Sequence, residues 1–442
     1  MLRGRSFLPV LLVSGLFVIA CSSEKDMSGG PASLKDSGVA GDTSVTDETA
    51  VAEDSGGFNV SEIGTPEASG TGCIGSDPDC DGDGYKVSEG DCNDKDGTIN
   101  PDAYDFEGDG VDNDCDGTVD NPVKDCTATV GSTDPIQFAR AADLCPQHSK
   151  SKKTGAIYDP IANVEFGKST KMTASKVISA FGENKPRNGT TLFGLQSGPL
   201  LAADPRKSTA LDIFPTSNAC AAIPLKDADC KSLSSGTISP FGASVQDMQE
   251  VRMYIRVPSN AKAMVFDFAF FSSEFNEFWN SSFNDAFFVL VTSKKIAGLN
   301  VAKDSKGKAL TVNSGFFQLC PKPGSVTVAK PEALSSAPCV GTTGDATATP
   351  PILGTLKGTN FDGAGIGSSD DTVGTTTKYV YGGGSGWLTT KFEVEPGESM
   401  VVRFMVMDTS DGILDSGAIV DNIRWEKAPP KVPTGEVERP PM

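Results

Sequence analysis

The sequence has 442 residues and a formal net charge of −20 at pH 7, because 58 Asp and Glu outweigh 38 Lys and Arg. This balance argues against nucleic acid as a partner, since proteins that bind nucleic acid carry basic patches. A single histidine and the lack of any Cys-x-x-Cys pair also argue against a structural zinc site.

The first 20 residues predict a lipoprotein signal peptide. Arg3 and Arg5 precede an apolar run over 7–20, which is shorter than the ~20 residues of a membrane span. The run ends in Val-Ile-Ala-Cys, which resembles the bacterial lipobox and implies that Cys21 becomes the lipid-bearing N-terminus. The alternative is an ordinary signal peptide followed by an incidental cysteine. Ser22 after the cysteine favours the outer membrane, so we expect an exported protein anchored there or at the cell surface.

A flexible stalk is predicted over 21–71. This segment consists mainly of Ser, Thr, Gly, Ala, Asp and Glu, and Phe58 is its only aromatic residue. Such a composition cannot bury enough apolar surface to fold, so we expect a disordered spacer between the membrane and the rest of the chain.

The acidic charge is concentrated in a module at 73–121, with fourteen Asp and two Glu against two Lys, a net charge of 2 − 16 = −14. The pattern D-x-D-x-D-G occurs twice in it, which predicts loops that wrap a hard cation such as Ca²⁺ with oxygens at positions 1, 3 and 5. Neither loop has the Glu at position 12 of an EF-hand. A disordered acidic linker is the alternative. The predicted ligands are Asp79, Asp81, Asp83, Asp91, Asn93, Asp94, Asp96, Asp112, Asp114, Asp116 and Asp120.

The stretch DCDGDGYKVSEGDCNDKDGTINPDAYDFEGDGVDNDCDG resembles the bacterial repeat family named "putative metal-binding motif". The shared features are a D-x-D-G-D-G-Y opening, a G-D-C-N-D middle and a D-G-x-D-N-D-C-D-G close. The resemblance implies a metal-binding repeat. Copper has been associated with the family, but carboxylates without His or Met favour calcium as the cofactor.

Ten cysteines remain after Cys21, an even number that predicts disulfides in an exported chain. Pairing between near neighbours is the simplest arrangement, although the sequence leaves the connectivity open. We expect the pairs Cys126–Cys145, Cys220–Cys230 and Cys320–Cys339, and pairing among Cys73, Cys80, Cys92 and Cys115.

The region 126–427 predicts a mainly β domain, a two-sheet, jelly-roll-like β-sandwich. Residues of EVRMYIRV alternate between apolar and polar with a period of two, as in a half-buried strand. One helix is expected, with Asp134 as N-cap, Pro135 at the first helical position and an end at Cys145. The Gly-rich stretches 363–369 and 381–387 are interpreted as loops. Further strands are expected at 263–271, 286–291, 390–395, 399–408 and 417–425, and the Pro-rich tail 428–442 is expected to be disordered.

The stretches FDFAFFSSEFNEFWNSSFNDAFFVLV (266–291) and GWLTTKFEVEPGESMVVRFMVMDTSDGILDSGAIVDNIRW (386–425) resemble the bacterial family named choice-of-anchor L. Its motifs are F-x-S-E-[FY], F-N-D, G-W-L-T and D-x-x-D-G-x-L-D-S. The family consists of surface proteins without an established enzymatic activity, so the resemblance implies a non-catalytic surface module. We expect it to bind a glycan or a surface protein.

Period-two alternation in AIVDNIRW places Asp421 on the same face as Ile419, Ile423 and Trp425. A charged carboxylate in an apolar core is costly unless something compensates it. We therefore predict a structural cation bound by Asp421, Glu274 and Asp285, with backbone hydrogen bonds as the alternative. Residues Asp408, Asp411 and Asp415 predict either another ligand loop or a plain turn.

Catalysis has weak support in the sequence. His148 lies in a polar, Lys-rich loop, so a surface histidine is the simpler interpretation than a catalytic one. The alternative function is a secreted hydrolase, such as a glycosidase, that uses Glu274 and Glu277. A glycan cleft lined by Trp279 and Trp387 would favour adhesion instead.

Overall fold

The structure is a computed structural model. It describes 75–121, 126–146, 151–167, 174–200, 245–275, 283–320, 340–362, 382–409 and 414–440, with isolated positions at 213–214, 278–279, 281, 372–373, 377–378 and 412. Several predictions fall outside these residues: the signal peptide, Cys21, the stalk, His148, Glu277, Asp411 and the Cys220–Cys230 pair.

Within these residues the fold is a sandwich of two antiparallel sheets, which confirms the predicted class. The strands are β1 (Ile161–Phe166), β2 (Ser175–Ile178), β3 (Leu192–Gln196), β4 (Ile213–Phe214), β5 (Val245–Arg256), β6 (Ala263–Ser272), β7 (Ala286–Thr292), β8 (Ala297–Asn300), β9 (Leu310–Thr311), β10 (Thr372–Val373), β11 (Thr377–Lys378), β12 (Gly383–Glu393), β13 (Ser399–Thr409), β14 (Ser416–Glu426) and β15 (Val437–Glu438). One sheet has the order β1-β5-β13-β7-β8, with β4 added to β5 and β9 to β7, and the other has the order β15-β12-β6-β14-β3-β2. Strands β10 and β11 form a separate two-stranded sheet.

The main core lies between the two sheets and is rich in phenylalanine. Phe268 of β6 and Phe287 of β7 face each other from opposite sheets, with ring centroids 4.9 Å apart. Phe404 of β13 contacts Phe266 at 5.3 Å in an edge-to-face arrangement. Apolar residues are also buried on the outer face of each sheet. Strands β6 and β7 are therefore buried on both faces, which explains why their sequences are nearly continuous hydrophobic runs.

Strand β12 is longer than predicted, because it begins at Gly383 inside the stretch interpreted as a loop. The glycines make this possible. A Cβ on Gly383 would lie 2.2 Å from the ring of Phe275, and one on Gly384 would lie 2.8 Å from the ring of Phe271. Glycine here therefore marks a close approach of backbone to aromatic side chains rather than a loop.

The predicted helix exists and is shorter than expected. Helix α1 spans Pro135–Ala141, and the Asp134 carboxylate accepts a hydrogen bond from the Ile136 amide as the predicted N-cap. It stops before Cys145 because Asp143 adopts a left-handed φ of 68°. No helix in the described residues is long and apolar enough to cross a bilayer.

The acidic module packs directly on the sandwich, and both belong to one compact unit. Asn260, in the turn between β5 and β6, accepts a hydrogen bond from the Tyr104 amide at 3.0 Å. Its side-chain amide donates to the carbonyls of Thr98 and Tyr104, at 3.0 and 2.8 Å. Phe106 enters the sandwich core, where it is only 6 % exposed. The module is therefore anchored by contacts that no local sequence pattern indicates.

The prediction of a disordered tail is wrong for residues 428–440. Val437 and Glu438 form β15, which pairs with β12 at the edge of a sheet, and the Val437 side chain is buried. The Arg439 guanidinium donates hydrogen bonds to the carbonyls of Ser385 and Phe316 and to the side chain of Gln318. These contacts outweigh the disorder that a Pro-rich composition favours.

Replacing Arg439 with alanine should lower the free energy of unfolding by about 1–3 kcal/mol, because it leaves backbone carbonyls without partners at a half-buried site. Burial lowers the pKa of Arg439 to about 10, in keeping with that site. Urea denaturation of the full chain measures the effect. Lys431→Ala, at an exposed position of the same tail, is the control. Equal stability of the two variants would contradict the ordered tail.

Candidate metal centre

The first D-x-D-x-D-G loop brings its three carboxylates together. Ligand oxygens of Asp79, Asp81 and Asp83 lie within 4.8 Å of one another. The Asp79 carboxylate accepts hydrogen bonds from the amides of Gly82 and Gly84, at 2.8 and 3.0 Å, so the chain wraps around it. Gly84 has a φ of 91°, a conformation that glycine adopts without strain. The sixth position of the loop thus provides the sharp turn expected of a calcium loop.

Asp81 also joins a second group of carboxylates from the next turn of the chain. Its oxygens lie within 4.8 Å of those of Asp91 and Asp94. Asp94 is held in place because it accepts a hydrogen bond from the Cys80 amide at 2.8 Å. Five carboxylates therefore form one continuous cluster, with Asp81 shared between its two halves.

Three oxygens in this cluster are buried and accept no hydrogen bond from any residue that the structure describes. They are the Oδ2 atoms of Asp81, Asp83 and Asp91. Burial, together with repulsion from neighbouring carboxylates, raises the pKa of all three groups. Buried carboxylate oxygens without partners are costly unless a proton or a cation compensates them. These three atoms are the strongest sign of a cation site in the module.

The second D-x-D-x-D-G loop repeats this geometry. Asp112, Asp114 and Asp116 place ligand oxygens within 4.8 Å of one another. Asp112 accepts hydrogen bonds from the amides of Asp116 and Gly117, at 3.2 and 3.0 Å, and Gly117 has a φ of 94°. The disulfide Cys92–Cys115 joins this loop to the first cluster. The module therefore contains two loops with the geometry of a cation-binding loop, and a disulfide connects them.

Three predicted ligands lie outside these groups. Asp96 accepts hydrogen bonds from the Thr98 hydroxyl and amide, which lower its pKa. Asp120 accepts bonds from the amides of Asp109 and Gly110, both at 3.0 Å. The Asn93 amide donates to Asp91 at 2.8 Å, so its backbone supports a neighbouring carboxylate. The carboxylates of Asp96 and Asp120 therefore stabilise the loops through backbone hydrogen bonds, and neither belongs to the carboxylate groups found among the described residues.

Sequence reasoning missed Asp105, which organises the second loop. Its side chain is 5 % exposed and accepts hydrogen bonds from the amides of Asn113 and Asn121, at 3.0 and 2.5 Å. Burial raises its pKa. It lies outside both D-x-D-x-D-G patterns, so no spacing rule points to it.

The cation predicted within the sandwich is not supported in the form proposed. Glu274 and Asp285 do lie together, since the Asp285 amide donates to Glu274 Oε2 at 3.4 Å. The Ser416 hydroxyl donates a hydrogen bond to Asp285, and both Ser416 and Asp421 belong to β14. Asp421 is five residues after Ser416, which corresponds to about 16 Å along a strand at the usual rise of about 3.3 Å per residue. Asp421 therefore does not share a site with the other two carboxylates.

The predicted face of Asp421 is also wrong. Asn422 has a φ of 56°, and the pairing of β14 with β6 is irregular between Asp421 and Arg424. This irregularity turns Ile423 and Trp425 toward the main core, whereas Ile419 packs on the outer face of the sheet. A β-bulge of this kind breaks strict alternation.

Asp421 receives backbone hydrogen bonds, as the alternative interpretation expected. Its Oδ2 accepts from the amides of Arg187 and Asn188. Burial and repulsion from Asp143 raise the pKa of Asp421 to about 8. The second oxygen, Oδ1, has no hydrogen-bond partner within the described ranges.

Of the residues on which a glycan cleft or a hydrolase would depend, the structure describes Trp279, Trp387 and Glu274, and each is partly or fully buried. Trp387 is 3 % exposed and packs on the outer face of its sheet, and Trp279 packs partly buried against the main core. Glu274 is 1 % exposed. A pocket of about 200 Å³ between the module and residues 151–158 contains one carboxylate, Asp102, whose Oδ2 accepts a hydrogen bond from Ser151.

The disulfides agree with the predictions where the structure describes them. Cys126 pairs with Cys145, and Cys92 pairs with Cys115 within the predicted set of four. Cys80 and Cys320 are also disulfide-bonded. Cys73 and Cys339 lie outside the described residues.

Comparison with known families supports the metal-binding interpretation of the module. The family described as Cu-binding MopE, a putative metal-binding motif, matches residues 91–121. The matched segment contains the second loop and both cysteines of its disulfide. No curated protein and no solved structure matches the chain. The chain therefore carries a metal-binding motif over part of its acidic module.

Proposed function

We propose that the protein is a calcium-binding surface lipoprotein whose β-sandwich, similar to a choice-of-anchor L domain, serves adhesion or ligand binding. The observation that carries the proposal is the set of three buried oxygens on Asp81, Asp83 and Asp91 that have no hydrogen-bond partner among the described residues. A divalent ion would neutralise part of the module's charge and replace the missing hydrogen-bond donors. The folding of the module, and its contact with Asn260 of the sandwich, would then depend on the bound ion.

Calcium is the proposed ion because the donors are hard. Between residues 75 and 121 the sequence has neither His nor Met, and Cys80, Cys92 and Cys115 are disulfide-bonded. Copper sites depend mainly on imidazole and sulfur ligands, whereas carboxylates suit calcium. An affinity on the order of 10⁻⁴–10⁻³ M is expected, as in other extracellular calcium modules.

Replacing Asp81 with asparagine should weaken calcium binding at least tenfold, because Asp81 belongs to both halves of the five-carboxylate cluster. Isothermal titration of the full chain with calcium measures this. Asp77→Asn is the matched control, since it removes the same charge nearby and lies outside the carboxylate groups. Equal affinity in both variants would contradict a site at the cluster. A copper complex that survives excess calcium would contradict the choice of metal.

The surface location is proposed from the lipobox resemblance at Cys21. Cys21→Ala should abolish lipid labelling and move the protein from the membrane fraction to a soluble or uncleaved species. Labelling with a fatty-acid analogue, followed by membrane fractionation, measures both effects. A lipid-labelled, processed Cys21→Ala protein would place the anchor elsewhere.

The non-catalytic role is proposed over the hydrolase alternative. A glycosidase needs two carboxylates that reach a substrate, whereas Glu274 is almost fully buried. Adhesion is then the role implied by the family resemblance. Binding of the full chain to an array of glycans and to bacterial cells tests it, and hydrolysis of an arrayed glycan would favour the enzyme instead.

A further inference from the structure

The fourth position of each D-x-D-x-D-G loop has a left-handed backbone conformation. In the first loop this position is Gly82, with a φ of 79°, and in the second it is Cys115, with a φ of 54°. Glycine adopts such angles without strain, whereas a residue with a Cβ adopts them rarely. The second loop therefore makes the same turn as the first without the residue that favours it.

This turn is what brings the ligands of the second loop together. Cys115 stands between Asp114 and Asp116, at positions 3 and 5 of the loop. Their ligand oxygens lie within 4.8 Å of each other and of those of Asp112. A change in the backbone angles of Cys115 would turn the two neighbouring carboxylates apart.

A disulfide to Cys92 holds Cys115 in place. The Cys92 amide also donates a hydrogen bond to Cys115 Sγ, at 3.1 Å. Both contacts act on the side chain of the residue whose backbone is strained. We therefore expect the closed disulfide to oppose the relaxation of Cys115 to an ordinary, negative φ.

The other end of this disulfide lies among ligands of the first cluster. Asp91 directly precedes Cys92, and Asp94 follows it by two residues. Ligand oxygens of both lie within 4.8 Å of those of Asp81. Cys92 is exposed and Cys115 is half-buried, so a thiol reagent in solution can reach the bond.

The disulfide Cys126–Cys145 differs in both respects. Cys145 is only 4 % exposed. The residues next to these two cysteines belong to none of the carboxylate groups found among the described residues. This second disulfide is therefore an internal control for any effect of calcium.

We propose that the Cys92–Cys115 disulfide positions the second cation loop, so that the closed disulfide and a bound Ca²⁺ stabilise each other. This inference rests on the proposed calcium-binding function of the module. A dithiol reductant would transfer two electrons and two protons to Cys92 and Cys115 and would itself become a disulfide. Released Cys115 then leaves the left-handed conformation, and the loop loses its ligand geometry. By linkage, calcium favours the closed disulfide by the same factor by which the disulfide favours calcium.

The first test separates the backbone effect from a simple cross-link. In an Asp81→Asn background, which weakens the first cluster, the remaining calcium reports the second loop. Adding Cys92→Ser and Cys115→Ser should weaken its binding at least tenfold in isothermal titration of the full chain. Cys92→Ser with Cys115→Gly should bind at least threefold more tightly than the double-serine chain, because glycine adopts the turn without strain.

The second test uses the wild-type chain, so it does not depend on the folding of a variant. The chain is equilibrated with mixtures of oxidised and reduced dithiothreitol, with calcium or with a chelator. Free thiols are then alkylated, and each disulfide is quantified by peptide mass. Calcium should lower the reduction potential of Cys92–Cys115 by about 30 mV for each tenfold difference in affinity, and should leave that of Cys126–Cys145 unchanged.

The outcomes distinguish this inference from the function on which it rests. A wild-type chain that binds no calcium would overturn the calcium-binding function itself. A wild-type chain that binds calcium without a change in the potential of Cys92–Cys115 would overturn only the coupling. An Asp81→Asn chain that retains no calcium, or serine and glycine variants of equal affinity, would overturn the role of Cys115 in the second loop.

Discussion

Replacing Glu250 with glutamine should lower the free energy of unfolding by about 3–5 kcal/mol at pH 7, the range found when one partner of a buried ion pair is removed. The Glu250 side chain is 3 % exposed and lies on the outer face of β5. It accepts two hydrogen bonds from Arg403, at 2.6 and 3.1 Å, and one from Arg252 at 3.0 Å. Glutamine carries no charge, so it would remove the charged partner of Arg403 and leave Arg252 with only the more exposed Glu165.

Glu165→Gln is the matched control for this prediction. Glu165 also accepts a hydrogen bond from Arg252, at 2.8 Å, but its side chain is 41 % exposed. An exposed ion pair contributes about 0–1 kcal/mol, so the control should unfold almost like the wild type. Urea denaturation of all three proteins at constant calcium measures the difference. Equal losses for the two variants would show that burial does not set the strength of the Glu250 contacts.

The loss of unfolding free energy caused by Glu250→Gln should become smaller at acidic pH. Burial acts to raise the pKa of Glu250, and the hydrogen bonds and charges of Arg403 and Arg252 outweigh it, so the pKa lies below its ordinary value near 4.5. A carboxyl with a lowered pKa in the folded state contributes stability above its unfolded pKa. That contribution is lost as the pH falls through the folded pKa. The difference in unfolding free energy between the wild type and the variant should therefore decrease below about pH 4.5.

Asp421→Asn should show the opposite pH dependence. The folded pKa is raised to about 8, whereas the ordinary value is 3.8, so the folded state holds a proton that the unfolded state loses between these values. Wild-type stability therefore falls, relative to the variant, as the pH rises from 4 to 8. The relative gain of the variant at pH 8 to 9 has an upper bound of about 6 kcal/mol, since the pKa rises by about four units and each unit corresponds to about 1.4 kcal/mol.

The carboxylate that repels Asp421 is Asp143. The pKa of Asp143 is itself raised to about 6, mainly by burial. Asp267 also faces Asp421 across the strand pair, but it is paired with Arg187 and Arg424, at 3.4 and 3.6 Å. In an Asp143→Asn background, Asp421→Asn should gain less stability at high pH, because the repulsion has already been removed. Urea denaturation of the four proteins of this cycle, from pH 4 to 9, measures the coupling. Identical pH profiles of wild type and Asp421→Asn would contradict the raised pKa.

Local patterns explain which parts of the fold and of the site could be predicted. The strands around Val251 and Phe404 follow from alternation and hydrophobic runs. The ligands of the module follow from D-x-D-x-D-G, because a loop that wraps an ion takes its oxygens from neighbouring positions. For the same reason the pattern correctly groups Asp81 with Asp83 in the first loop and Asp112 with Asp114 in the second.

Features that depend on distant contacts could not be predicted. Tyr104 and Asn260 are separated by 156 residues, so the docking of the module leaves no trace in either local sequence. Asp421 was assigned to the wrong face because a single left-handed residue, Asn422, shifts the alternation of β14. Disorder of the tail is predicted from its prolines, whereas the tail is held by the buried Val437, by the hydrogen bonds of Arg439 and by backbone hydrogen bonds to Lys303 and Lys391.

A Cβ added at Gly198 would lie 1.8 Å from Asp415 Oδ2, and this close approach has a consequence for how the sequence can change during evolution. A side chain at position 198 would displace the buried carboxylate, so a substitution there should be tolerated most easily once the acid at position 415 has been replaced by a smaller residue. The two positions should therefore change together among descendants of this gene. Lineages that keep the acid should keep the glycine, and a lineage that has replaced the glycine should also have given up the acid.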